Sequence, residues 1–190
     1  DDDFSKNEMM LIVFGIRWMT MHADITRTFP VSGRFNPMQK ILYEIVLGAQ
    51  IAVEKKARAG VMIDELNKLC WDKINQGLEH NFTAIGGKFK LLYKGRPHGG
   101  SHLMGEQEHD GDPFRNYSQQ SMKSGWMISN EPGVYGEFRL RLNGKTYDEK
   151  IGIRIEDNLV MTSHGCMNLS SKIPKTIKQI EKLMASRKEG

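Results

Sequence analysis

Four residues of the types that bind divalent metal ions are spread across this 190-residue chain, each inside a short and distinctive segment. They are Asp24 in His-Ala-Asp-Ile-Thr-Arg-Thr-Phe-Pro (22–30), His102 in Pro-His-Gly-Gly-Ser-His (97–102), Glu131 in Ser-Asn-Glu-Pro-Gly (129–133) and Glu156 in Gly-Ile-Arg-Ile-Glu-Asp (152–157). Three carboxylates and one imidazole, with no thiolate, are typical of a site for Mn, Co, Fe or Zn. Taken one at a time, each carboxylate would more often be an exposed polar residue, so the four are candidate ligands whose assignment depends on the segments around them.

The pattern of apolar residues and turn signals indicates an α+β domain with an antiparallel sheet. Asn36-Pro37 is a strong helix start, with a capping side chain followed by proline at the first helical position. The other predicted elements are a buried strand over 9–14, a strand over 18–29, a helix from Ile63 to a stop at Gly77, strand pieces at 126–135 and 151–161, and a last helix opening at Ile173-Pro174. In the 151–161 strand, alternation places Arg154 and Glu156 on the same face.

Length and composition indicate one soluble globular domain. The 190 residues suit a single domain, and a net charge of +4 is too modest to indicate a nucleic-acid partner. Much of the basic excess lies in the C-terminal tail, including Lys175, Lys178 and Lys182, which we interpret as a solvated helix face. Cys70 lies on an apolar helical stripe, which predicts a buried reduced thiol. Without an apolar run or signal peptide, we expect no membrane partner and a cytoplasmic location.

Three histidines within twelve positions form a second notable cluster. His98, His102 and His109 are interleaved with glycines, and Pro97 argues against a helix at this point. The glycines let the backbone approach a site closely. A lone histidine would more often be a hydrogen-bonded core or surface residue, but three of them so close together favour a functional site.

Taken together, these segments resemble the catalytic domain of the Xaa-Pro aminopeptidase family, within the creatinase and methionine aminopeptidase group. The resemblance runs from about Met10 to the C-terminal helix, and the four motifs occur in the family's order. It implies the pita-bread fold, a curved antiparallel sheet with helices on its outer face and metal in its concavity. It also implies one catalytic domain over residues 1–190, with the family's N-terminal domain absent.

The resemblance assigns a role to each residue of the site. The metal ligands would be Asp24, His102, Glu131 and Glu156, and Glu131 would also handle the proton. His98 and His109 match residues that contact the substrate or the reacting peptide group. Arg154 matches an arginine beside the last ligand, where it would hold carboxylates or the substrate.

One residue departs from the family pattern. The family holds two ions between five ligands in the order Asp, Asp, His, Glu, Glu, and the first Asp precedes a glycine by two positions. Here that segment is Val13-Phe14-Gly15, and an isopropyl group cannot bind a cation. We therefore expect one ion per chain, manganese first and cobalt, zinc or iron as alternatives. Arg17 could replace part of the second ion's charge if its side chain points inward.

The implied activity is metal-dependent removal of an N-terminal residue before proline, from a peptide substrate with proline at its second position. The valine at position 13 predicts impaired activity in this form. Two alternatives stay open: a prolidase acting on dipeptides, and a catalytically silent module that holds a peptide or protein in the same concavity. A homo-oligomer is possible in each case.

Overall fold

The computed structural model describes residues 4–111 and 116–186. The described part opens with an antiparallel hairpin and two helices, continues through seven strands, and closes with a third helix. The elements are β1 (Met9–Trp18), β2 (Met21–Pro30), α1 (Pro37–Lys56), α2 (Ile63–Gly77), β3 (Lys88–Leu91), β4 (Leu103–Met104), β5 (Met127–Asn130), β6 (Gly133–Leu142), β7 (Lys145–Arg154), β8 (Asp157–Met161), β9 (Cys166–Asn168) and α3 (Ile177–Ala185). Every strand pairing is antiparallel, which confirms the predicted α+β class.

The strands form three sheets that meet around one region. Their orders are β1-β2, β3-β6-β7 and β4-β5-β8-β9. Strand β2 lies against the junction of β7 and β8, where the Glu156 N–H donates to the Thr26 carbonyl oxygen at 3.0 Å. The Thr28 hydroxyl donates to the Arg154 carbonyl oxygen at 2.9 Å and accepts from the Arg154 N–H at 3.0 Å. These bonds bring two of the predicted ligand segments together.

Helix α1 packs against the sheets and α2 packs against α1, and together they supply much of the hydrophobic core. The predicted start of α1 is confirmed, because Asn36 and Gln39 form a reciprocal capping box with Pro37 as the first helical residue. Leu42, Val46 and Val53 of α1 are fully buried, in one cluster with Phe138 and Ile153 of the sheet. No helix among the described residues has the length and apolar character needed to cross a membrane.

One of the predicted helix boundaries is confirmed and another is wrong. Helix α2 ends at Gly77 as predicted, although that residue keeps right-handed helical angles and the chain continues through helical turns to Ile85. The break falls at Gly86, whose φ of +87° favours glycine. The last helix begins after its N-cap Thr176 and not at Pro174. Lys178 and Lys182 are exposed as predicted, whereas Lys175 is not.

The prediction of a buried first strand is also wrong. Strand β1 runs four residues further than expected, to Trp18, and its outer half is exposed. Among the described strands β1 pairs only with β2, so little covers its other edge. Val13 is 49% exposed, and the tip of the hairpin presents Ile16, Trp18 and Met19 to solvent. Consequently the departure at Val13 lies on an outer strand and not in the core.

Candidate metal centre

All seven predicted site residues line one cavity of about 430 Å³. They come from β2, the glycine-containing segment before β4, the loop after β4, and the ends of β5, β7 and β8. The residues that line the cavity include Asp24, His98, His102, His109, Glu131, Arg154 and Glu156, with Val13 beside them. The structure thus brings all seven of these residues together.

Asp24 and Glu156 form one wall of the cavity. The Asp24 backbone exchanges two hydrogen bonds with the Asn158 side chain, at 3.2 and 2.6 Å. Glu156 lies in the short link between β7 and β8, where its Oε2 accepts a 2.6 Å bond from the Thr26 hydroxyl. Thr26 also accepts a 3.1 Å bond from Arg154 Nε. One threonine therefore orients a carboxylate and the guanidinium beside it.

A buried ionic cluster behind this wall fixes the position of Glu156. Arg27 Nη2 lies 2.6 Å from Asp157 Oδ1, and Lys175 Nζ lies 2.6 Å from Asp157 Oδ2. Arg27 Nη1 also donates to the Glu156 carbonyl oxygen at 2.5 Å. Burial works to raise the pKa of Asp157, but the Arg27 guanidinium and Lys175 outweigh it, and the pKa lies below its usual range. Removing one partner from such a buried pair costs about 3–5 kcal/mol.

The opposite wall depends on close packing against α2. The Glu131 N–H donates to the Gly100 carbonyl oxygen at 2.9 Å, and the Ser129 N–H donates to the His102 carbonyl oxygen at 3.0 Å. A Cβ atom at Gly100 would lie 2.7 Å from the Cys70 sulfur, so the backbone can approach α2 this closely only as glycine. Cys70 is free and fully buried, which confirms the predicted buried thiol, and burial raises its pKa to about 12.

His102 presents one ring nitrogen to the cavity. Its Nδ1 lies 3.1 Å from the Leu103 carbonyl oxygen, and a proton on Nδ1 leaves the Nε2 lone pair free. Nε2 lies 3.2 Å from Glu131 Oε1 and 3.9 Å from Asp24 Oδ2. The 3.2 Å approach to Glu131 lacks the geometry of a hydrogen bond, so His102 Nε2, like Glu156 Oε1, is buried without a hydrogen-bond partner within the described ranges. Buried polar atoms rarely lack a partner, so these two atoms suit a bound water molecule or ion.

The three carboxylates differ in their pKa. Burial and then the neighbouring Glu131 raise the pKa of Glu156 to about 8. Burial, followed by the nearby carboxylates of Glu108 and Glu131, raises the pKa of Asp24. Burial opposes ionisation of Glu131 as well, but His102 beside it lowers its pKa below the usual range. Clustered carboxylates that resist ionisation are what a divalent cation would stabilise, so the donor set fits a metal ion.

His98, His109 and Arg154 surround these candidate ligands. His98 Nδ1 and Arg154 Nη1 lie 3.6 and 3.9 Å from Glu131 Oε2, the oxygen that faces away from His102. His98 Nε2 contacts the Tyr135 hydroxyl at 3.1 Å, and burial lowers the pKa of this histidine. The His109 ring stacks on that of His102 with centroids 4.0 Å apart.

Several residues around the centre are not predicted from the sequence. Thr26 shares a strand face with Asp24, and Asn158 lies two residues beyond Glu156, so alternation along the strands could have indicated both. Tyr135 and Glu108 carry no such signal. Arg17 is exposed and its Nε donates to the Met19 carbonyl oxygen, so it does not point into the cavity.

Comparison with known proteins identifies the family to which this chain belongs. The Xaa-Pro aminopeptidase of Haemophilus influenzae is 32% identical over 97% of this chain and 44% of its own length. The solved structure of Pseudomonas aeruginosa aminopeptidase PepP matches all of this chain and 44% of its own with a TM-score of 0.80 and 30% identity. A substrate complex of an Escherichia coli aminopeptidase P variant matches with a TM-score of 0.79 and 27% identity, again over 100% and 44% of the two chains.

These neighbours confirm the pita-bread fold, and the carboxylates and imidazoles of the cavity include groups that could hold a metal ion. The chain belongs to metallopeptidase family M24, which matches residues 1–163. It spans less than half the length of the relatives it matches.

Proposed function

We propose that residues 1–190 form one catalytic domain of a metal-dependent aminopeptidase that removes an N-terminal residue before proline. The observation that carries this proposal is the convergence of His102 Nε2 and Glu156 Oε1, both buried and unpartnered in the described part of the chain, on one cavity. The Xaa-Pro aminopeptidase and aminopeptidase P relatives support the substrate class, a peptide with proline at its second position.

Asp24, His102, Glu131 and Glu156 would hold one divalent ion, with manganese as the first candidate. The ligand atoms of His102, Glu131 and Glu156 lie within 4.8 Å of one another, and Asp24 Oδ2 is 3.9 Å from His102 Nε2. When bound, such an ion lowers the pKa of a water molecule toward 7 and polarises a carbonyl oxygen. Val13 supplies no ligand for a second ion, which supports a stoichiometry of one tightly held ion.

Glu131 is suited to two tasks because its two oxygens face different partners. Oε1 faces His102, on the side of the proposed ion, whereas Oε2 faces His98 and Arg154. Its lowered pKa keeps it ionised near neutral pH, so Oε2 can accept a proton from the attacking water and return it to the leaving amine.

His98 and His109 would position the peptide and stabilise the developing oxyanion. Burial lowers the pKa of His98, so its ring is neutral near pH 7 and carries one N–H. That N–H is on Nδ1, which lies 2.6 Å from the Gly99 carbonyl oxygen, so a substrate oxygen would have to take the place of this partner. Its contact with the Tyr135 hydroxyl holds the ring in place. Arg154, tied to Thr26, would hold Glu131 or the substrate.

The test is elemental analysis of the purified chain together with turnover of an Xaa-Pro peptide in the presence of Mn²⁺. We expect about one ion per chain and metal-dependent release of the N-terminal residue. Anomalous diffraction showing two fully occupied ions at a bridging distance would contradict the single tight ion.

A catalytically silent peptide-binding module is the second candidate, and Val13 favours it. In that case the chain would bind the metal and an Xaa-Pro peptide without cleaving the peptide. A prolidase would cleave Xaa-Pro dipeptides and leave longer peptides intact, so one dipeptide and one pentapeptide distinguish the three functions.

A further inference from the structure

One face of the β1–β2 hairpin is apolar from Phe14 to the turn, and we call it the outer hairpin face. Its side chains pair directly across the two strands, as Phe14 with Ile25, Ile16 with Ala23 and Trp18 with Met21. Alternation turns them away from Val13 and Asp24, and none of the six lines the cavity. The proposed function therefore makes no use of this face.

Most of the outer hairpin face is open to solvent. Phe14, Ile16, Trp18 and Met21 are between 43% and 72% exposed, and Met19 in the adjoining turn is 80% exposed. Side chains of this size with these exposures present an apolar surface on the order of 600 Å². That area is at the upper limit of what a soluble monomer commonly leaves uncovered, so the face indicates an interface with another molecule.

The backbone at the free edge of β1 indicates which kind of molecule covers this face. The Asn158 side chain bonds both the N–H and the carbonyl oxygen of Asp24, so Asp24 directs its backbone away from β1. Opposed residues of an antiparallel pair either exchange both bonds or turn both away, so Gly15, the partner of Asp24, directs its N–H and carbonyl oxygen to the free edge. No described residue forms a backbone hydrogen bond with them. Open sheet edges do not enter the hydrocarbon of a bilayer, so a protein partner is favoured over a membrane.

We propose that two copies of this chain dimerise by packing their outer hairpin faces against each other about a two-fold axis. A two-fold contact uses the same patch on both copies. The six paired side chains carry no charge, so the patch is self-complementary although each copy has a net charge of +4. Two such faces bury on the order of 1,200 Å² in total, the lower limit for a specific protein interface, which predicts a weak and reversible dimer. The cavity lies on the other side of the hairpin, so both cavities stay open in the dimer.

The experiment is sedimentation equilibrium of the full chain at concentrations from micromolar to millimolar, with a chelator present throughout. The test variant is Ile16→Lys, which places a charge at the centre of the outer hairpin face. The matched control is Met167→Lys, because Met167 is also an exposed apolar residue, 55% exposed, on a strand at the edge of a sheet. A second control, Arg17→Ser, changes the neighbouring residue on the opposite face of β1. Circular dichroism melting curves check that all three variants fold.

We expect a reversible monomer–dimer equilibrium in the unmodified chain and in both controls. Ile16→Lys should weaken dimerisation at least about 100-fold, because the two-fold axis removes one buried isoleucine from each copy. Trp18 gives a local readout, since Trp71 is buried and Trp126 is half-buried. Quenching of tryptophan fluorescence by acrylamide should decrease as the concentration of the unmodified chain rises. In Trp18→Phe this concentration dependence should be lost.

Three results would overturn the dimer. The first is an unmodified chain that stays monomeric up to millimolar concentration, and the second is equal dimerisation of Ile16→Lys and Met167→Lys. The third is a monomer that co-sediments with phosphatidylcholine vesicles and loses this binding in Ile16→Lys, which would assign the face to a membrane. Because the chelator removes any metal ion from these measurements, each of the three leaves the proposed function intact. Failure of the chain to bind a metal ion would contradict the proposed function and leave the dimer standing.

Discussion

Replacing Thr26 by valine should weaken metal binding although Thr26 touches no ion. Its hydroxyl donates a 2.6 Å bond to Glu156 Oε2 and accepts a 3.1 Å bond from Arg154 Nε, so valine frees both groups while keeping the shape of the side chain. A hydrogen bond to a charged partner contributes about 1.5–3 kcal/mol. That corresponds to about a 10- to 100-fold loss of affinity, the range reported for groups that orient metal ligands.

Thr28→Val is the matched control for this substitution. Thr28 is equally buried on the same strand face, but its hydroxyl bonds only the Arg154 backbone and does not reach Glu156. Both variants should lose about 1–3 kcal/mol of unfolding free energy. Only Thr26→Val should lose Mn²⁺ affinity, measured by competition with a chelator. Equal affinities in the two variants would refute the idea that Thr26 positions Glu156.

The other predictions concern the ligands, Val13 and pH. His102→Ala should abolish tight metal binding while His98→Ala spares it and slows turnover; equal metal loss by elemental analysis would contradict the assignment. Val13→Asp should lower the activation free energy of Mn²⁺-dependent Xaa-Pro hydrolysis by about one to several kcal/mol. Because position 13 is half-exposed, the new charge should cost little unfolding free energy. Metal-free protein should lose stability as pH rises from 5 to 8. Folded Glu156, with a pKa of about 8, keeps a proton that the unfolded chain releases near its ordinary 4.5. The raised pKa values of Asp24 and His102 also decrease the folding stability as pH rises, whereas the lowered pKa of His98 increases it. When Mn²⁺ is added, the melting temperature should depend less on pH across this range.

Local signals predicted the elements that carry their own stop and start residues. Asn36-Pro37 fixed the start of α1, and the alternation around Ile153 correctly placed Arg154 and Glu156 toward one cavity. The predicted strands do not include the hairpin of β6 and β7, although Asn143-Gly144 marks its turn. Both turn residues have positive φ, 52° and 78°, as a two-residue hairpin turn requires.

Features that depend on tertiary contacts could not be predicted in this way. An apolar run such as Met9–Phe14 indicates a strand, but whether another element covers it depends on the rest of the fold. Glu108 is similar, because a loop glutamate approaches Asp24 only through the path of the chain after β4. Lys175 looked like one of several surface lysines, and its bond to buried Asp157 follows only from the packing of the segment before α3.

The arrangement of the ligand segments explains why a change at Val13 need not dismantle the inner site. The four proposed ligands come from segments that are hydrogen-bonded to each other: Glu156 to Thr26, Glu131 to Gly100, and β5 to β8 in register from Met127 to Asn130. Glu156 and Asp157 are consecutive but lie on opposite sides of the wall, so Asp157 anchors Arg27 behind it while Glu156 lines the cavity. Val13 contributes nothing to these bonds. Val13 reaches the cavity from an outer, half-exposed strand. Valine instead of a carboxylate at this position therefore leaves out one candidate ligand but does not disturb the four segments that carry Asp24, His102, Glu131 and Glu156.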